Sequence, residues 1–136
     1  MAQISEAVKN ARLNAIETVV GTAPILRVYD GGGSIPADCS QAVVGTLLVE
    51  ITLPSDWLND ANGGSITGIM GTWSDTALAT GEATYFRIYA SNGTDCHIQG
   101  TVSQTGFGGD LTFESTEISS IGETVTVATF ALSEPS

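Results

Sequence analysis

A few places in the chain combine residue types able to do chemistry. Cys96-His97 sets a thiol beside the only imidazole, Asp56 and Asp60 flank Trp57, and Asp60-Ala61-Asn62-Gly63 opens like a calcium loop. A thiol–imidazole dyad needs its two side chains to converge, but adjacent residues of a strand point to opposite faces. Cys96-His97 therefore reads as a strand segment with a packed or surface histidine. Two carboxylates around an indole suggest an acid and a base on the aromatic floor of a sugar cleft. The more economical reading makes Pro54-Ser55-Asp56-Trp57 the cap of a short helical turn, with the indole sealing a sandwich edge. The calcium pattern loses its register and its terminal Glu. Gly31-Gly32-Gly33 lacks the Lys and following helix of a phosphate cradle and reads as a turn. We expect no catalytic residue, no metal site and no cofactor.

The sharpest residues are basic and aromatic. Leu26-Arg27-Val28-Tyr29 precedes Asp30-Gly31-Gly32-Gly33, and Phe86-Arg87-Ile88-Tyr89 precedes Ala90-Ser91-Asn92-Gly93. Each copy alternates and then breaks at glycine, the pattern of a half-buried strand ending in a turn. Arg27 with Tyr29, and Arg87 with Tyr89, then share the face opposite the core. Arg and Tyr are typical interface anchors, and in a chain with so few cations each one counts. The competing use is intramolecular, by pairing with Glu50 or another carboxylate across the sheet.

The elements positioning these residues follow from hydrophobic period. From residue 3 to 20 the spacing is helical: Ile4, Val8, Ala11, Ala15 and Val19 form one stripe, and Leu13, Ile16 and Val20 a second. Gly21 ends the helix and Pro24 prevents its restart. A helix this apolar needs cover on two sides, one from its own sheet and the other from a deep seat in its own domain or a neighbouring subunit. Leu13, Ile16 and Val20 are accordingly expected contacts, together with Arg27, Tyr29, Arg87 and Tyr89. Beyond residue 24 strands dominate. Thr46 to Leu53 alternates, with Leu47, Val49, Ile51 and Leu53 on the core face. Phe86 to Ala90 leads through Asn92-Gly93, a strong hairpin signal, into Cys96 to Val102. Leu111 to Glu114 and Val125 to Leu132 follow, with weaker candidates at Ser65 to Met70 and Ala77 to Thr80. The expected fold is mainly β: one domain over 1–136, with a helical segment at 1–22 and an antiparallel β-sandwich or jelly roll at 24–136. Its expected core holds Leu47, Val49, Ile51, Phe86, Ile88, Leu111, Phe113 and Phe130.

Bulk composition sets limits on partners. The chain has 136 residues, of which 14% are charged and 42% hydrophobic, enough to bury roughly two-thirds of its unfolded surface. Lys9, Arg12 and Arg27 against Glu6 and Glu17 leave residues 1–27 at +1, so −12 of the formal net charge of −11 falls on the rest. Such a body repels phosphate backbones, which excludes nucleic acid as a partner. Ile4 to Val20 is interrupted by Glu6, Lys9, Arg12 and Glu17 and no run approaches spanning length, so neither a signal peptide nor a membrane contact is expected. Cytoplasmic synthesis follows. Cys39 and Cys96 lack zinc or redox spacing and read as reduced core thiols, with pairing in an oxidising exterior as the alternative.

These segments also carry a resemblance. Asn10-Ala11-Arg12-Leu13-Asn14-Ala15-Ile16, Leu26-Arg27-Val28-Tyr29-Asp30-Gly31, Gly45-Thr46-Leu47-Leu48-Val49-Glu50, Thr84-Tyr85-Phe86-Arg87-Ile88 and Gln99-Gly100-Thr101-Val102 make the chain similar to a group of small proteins from tailed-bacteriophage structural gene regions. The resemblance implies a virion component, and the lone His97 with no ligand cluster leads us to expect that it is not an enzyme. A capsid decoration protein, binding the major capsid protein of an assembled head and itself as a homo-oligomer, is the expected role. The alternatives are a tail, neck or fibre-associated structural protein, or a carbohydrate-binding module using Trp57 and Trp73.

Overall fold

The computed structural model describes residues 5–58, 65–66 and 72–133. The expected calcium-like stretch at Asp60 to Gly63 and most of the strand candidate from Ser65 to Met70 lie outside the described residues.

One helix, α1 (Glu6–Val20), begins where the Ser5 hydroxyl accepts from the Val8 N–H at 3.2 Å and stops where the Gly21 N–H donates to the Glu17 carbonyl at 3.0 Å. Gly21 has φ 92°, the left-handed backbone for which glycine is suited at a helix end. Among the described residues twelve strands follow: β1 (Ile25–Asp30), β2 (Thr46–Thr52), β3 (Ser65–Ile66), β4 (Ser74–Thr76), β5 (Gly81–Glu82), β6 (Tyr85–Tyr89), β7 (Cys96–Gln104), β8 (Leu111–Phe113), β9 (Glu117–Ile118), β10 (Thr124–Thr126), β11 (Thr129–Phe130) and β12 (Leu132–Ser133). The fold is mainly β, as the alternation implies, and its arrangement is consistent with a sandwich. A six-stranded sheet in the order β11-β8-β7-β6-β1-β2 is its main layer, and β10-β4, β12-β3 and β5-β9 form short pairs. Every pairing is antiparallel except β7 with β8.

Four local expectations change. Ala77 to Thr80 is not a strand but the link between β4 and β5, and Val125 to Leu132 is divided among β10, β11 and β12, which join different partners. Pro54 to Trp57 forms a bend, with no helical turn. In β2 the alternation slips: Val49 pairs with Val28 and Leu47 with Tyr29, so Leu48 is an extra residue between them. A bulge of this kind changes which residues point inward. Leu48 is buried, whereas Leu47, expected in the core, is half-buried beside Tyr29.

The remaining expected core residues, Val49, Ile51, Phe86, Ile88, Leu111, Phe113 and Phe130, are buried in one cluster with Leu26, Val28, Trp57 and Trp73. Aromatic contacts run through it as a chain. Trp57 lies 6.1 Å from Trp73, Trp73 lies 5.5 Å from Phe130, and Phe130 meets Phe86 edge-on at 5.7 Å. Such geometries add to simple area burial. The Trp57 indole N–H donates to the Gly21 carbonyl at 3.1 Å, and the Leu58 N–H donates to the Glu17 carboxylate at 3.0 Å, so the end of α1 is fastened to this cluster. Burial pushes the Glu17 carboxyl above its ordinary range; the Leu58 N–H opposes this and the neighbouring Asp56 carboxylate adds to it.

Only one stripe of α1 enters the core. Leu13 and Val20 are buried and Ile16 packs against the cluster, while Val8, Ala11, Ala15 and Val19 are exposed. Among the described residues no helix is long and apolar enough to cross a membrane.

Candidate functional site

Strand β6 is buried along its whole length on both sides. Its Phe86 and Ile88 side is covered by the aromatic core, so the Arg87 and Tyr89 side must also have cover. The cover is the chain between β1 and β2, residues 31–45, which folds back over the sheet as a strap. Glycines sit at both ends of it: a Cβ at Gly31 would collide with the Ser34 carbonyl and the Tyr85 ring, and one at Gly45, where φ is 87°, with the Asp30 carbonyl.

The arginines are neighbours across the β1–β6 ladder, where Arg27 stands opposite Arg87 and Tyr29 opposite Tyr85. Arg27 reaches toward β2: its Nε donates to Glu50 at 2.7 Å and its Nη1 to the Gly93 carbonyl at 3.1 Å, with the guanidinium 4.6 Å from the centre of the Tyr89 ring. Arg87 reaches toward β7 and the strap. Its Nε donates to Gln99 Oε1 at 2.8 Å, and its Nη2 to the carbonyls of Gln41 at 2.7 Å and Asp38 at 3.1 Å. Gln99 Nε2 in turn donates to the Pro36 carbonyl at 2.6 Å.

The tyrosines complete the cover. Tyr29 and Tyr85 stack with centroids 5.1 Å apart and planes inclined by 17°. The Tyr85 hydroxyl donates to the Val44 carbonyl at 2.6 Å and accepts from the Val44 N–H at 3.0 Å, holding the far end of the strap. Burial raises the Tyr29 phenol well above its ordinary range, and its hydrogen bond with Tyr89 raises it further. Burial also acts upward on Tyr89, but hydrogen bonds from Tyr29 and Arg87 and the charges of both arginines outweigh it and bring Tyr89 below its ordinary range.

A disulfide closes the strap. Cys39 is bonded to Cys96, with Cα atoms 5.5 Å apart. The expectation of unpaired thiols is therefore corrected, because the strap brings Cys39 to the first residue of β7, a proximity that spacing along the sequence does not encode. His97, next to Cys96, points to solvent.

The expected contact surface changes accordingly. Tyr29, Tyr89 and Arg87 are buried within their own chain, Arg87 with only 3% of its surface accessible, and Leu13 and Val20 are buried as well. These side chains are used in packing within their own chain, and of the five only Val20 reaches the edge of a surface groove. Ile16 and Arg27 keep partial exposure, and Arg27 takes the intramolecular pairing with Glu50. Trp57 and Trp73 are completely buried, so neither forms a platform for a sugar ring. Sequence reasoning missed Tyr85 and the strap backbone. The signal for Tyr85 was its position two residues before Arg87, on the same face of the strand.

Among the described residues no group of His, Cys, Asp and Glu is placed to hold a metal. The Arg87 cluster can neutralise, hydrogen-bond and clamp, and it directs those capacities at its own strap. Comparison with protein-family models, curated proteins and solved structures finds no match.

Proposed function

We propose that the protein is a non-catalytic structural component of a virion, a decoration protein that binds the assembled head of a tailed bacteriophage through its capsid subunits. The observation that carries this reading is the covalently closed strap over the Arg87 cluster. Arg87, Gln99, Tyr85 with Tyr29 stacked on it, and a disulfide are committed to fixing one surface loop on one sheet, which makes that surface rigid. A module that clamps neighbouring subunits needs that property, since a preorganised surface loses little conformational entropy on binding. The acidic, Thr- and Gly-rich body supports the same reading because it discourages random association, and the segment resemblance points the same way.

The test is co-sedimentation of the purified protein with assembled phage heads that lack decoration. Saturable binding at a copy number commensurate with the head lattice, absent with free capsid subunits, is the expected result. A folded protein that stays in the supernatant with heads overturns the assignment.

A further inference from the structure

Two apolar features lie at opposite ends of β7. Beyond its end, Phe107 stands at the tip of the turn between β7 and β8 with 77% of its surface exposed. The turn is built for that display. Gly106 and Gly108 adopt φ 92° and 87°, the Phe107 N–H donates to the Gln104 carbonyl at 3.1 Å, and the Gly109 N–H donates to Ser103 Oγ at 2.9 Å. At the beginning of β7, a groove of about 290 Å³ lies between α1 and the strand, lined by Arg12, Ala15, Ile16, Val19, Val20 and His97. Val19 on its rim is 68% exposed.

We propose that the Phe107 side chain seats in this groove on a second copy of the chain. Size permits it, because a cavity of about 150 Å³ already accepts benzene. Chemistry favours it, because Ala15, Ile16, Val19 and Val20 offer aliphatic walls to the ring. Charge favours it too. The groove's lining carries a cation, Arg12, and no carboxylate, whereas residues 88–136 contain no Lys or Arg and place Asp110, Glu114 and Glu117 shortly after Phe107. The contact is between molecules, since the eight residue steps of β7 separate His97's end from the Phe107 turn by roughly 27 Å. A knob and a hole at different places on one subunit generate a heterologous contact, which propagates into rings or filaments unless two copies close on each other. This inference deepens the self-association within the proposed role, but its test uses the isolated chain and is read independently of head binding.

The test is sedimentation velocity of the purified full chain at rising concentration, to millimolar. Wild type should self-associate, and Phe107→Ser, on an exposed turn, should weaken association by about tenfold or more. Ala15→Trp or Val19→Glu should weaken it similarly by filling or charging the groove, with folding of each checked by circular dichroism. Phe107→Ser mixed with the folded groove variant should recover heterodimers, because one partner supplies the intact groove and the other the intact phenylalanine. Three results overturn the proposal: a monomeric wild type, single variants that assemble as wild type does, or a mixture that stays monomeric.

Discussion

Arg27 and Arg87 face each other directly across the β1–β6 ladder, and their guanidinium groups diverge to opposite flanks of that pair. Like charges in register normally destabilise a sheet. Here each has a separate set of acceptors, Glu50 and the Gly93 carbonyl for one, Gln99 and the strap carbonyls for the other.

The two arginines should differ sharply in their contribution to stability. Arg27 and Glu50 are partly solvated, so a double-mutant cycle should give a coupling of about 0.2–1 kcal/mol. Arg87→Leu leaves buried acceptors without donors and should cost about 3 kcal/mol in urea unfolding. Equal costs would show that the strap does not depend on Arg87.

Removing the disulfide should be expensive. The bridge closes a sequence separation of 57, for which chain entropy gives roughly 4 kcal/mol. Cys39→Ser with Cys96→Ser should lower the unfolding free energy on that scale, and mass spectrometry of the wild type after alkylation should find no free thiol. An unchanged denaturation midpoint under reductant would contradict the pairing.

The tyrosine pair makes a prediction about alkaline pH. Tyr29 is raised in the folded state, so its contribution is complete below the usual tyrosine value of about 10 and is lost as pH rises toward its folded value. Tyr89 is lowered, so its contribution is present above that usual value and lost as pH falls through its folded value. Absorbance titration should show one phenol ionising early and one late. Tyr89→Phe should remove the early phase, and Tyr29→Phe should make stability fall less steeply above about pH 10. A single transition for all tyrosines would refute the arrangement.

On α1 the two stripes should separate cleanly. Leu13→Ala empties a fully buried site and should cost about 2–5 kcal/mol, whereas Val19→Ser should stay within about 0.5 kcal/mol. Thermal or chemical unfolding of both variants measures the difference, and reversed values would place the other stripe in the core.

What the sequence disclosed followed the reach of each signal. Period-2 alternation is local, so β1, β6 and their shared Arg-Tyr face were legible. Both apolar stripes of α1 were also legible, but periodicity cannot say which one meets the core, and the structure selects Leu13, Ile16 and Val20. The Leu48 bulge was hidden because it depends on where β1 lies against β2. The strap was hidden for a related reason. Residues 31–45 have the composition of an ordinary turn-rich loop, and what holds them down is backbone carbonyls, which every sequence has, meeting Arg87, Gln99 and Tyr85.

The strap also bears on the completion of the fold. Its anchors stand on β6 and β7, while the strap itself leaves the end of β1, whose pairing with β6 joins residues about sixty positions apart in sequence. Non-local pairings of this kind form slowly. The completed β1–β6–β7 ladder is what holds the strap's Cys39 against Cys96 in the native chain, so the bond is a chemical mark of that ladder's completion.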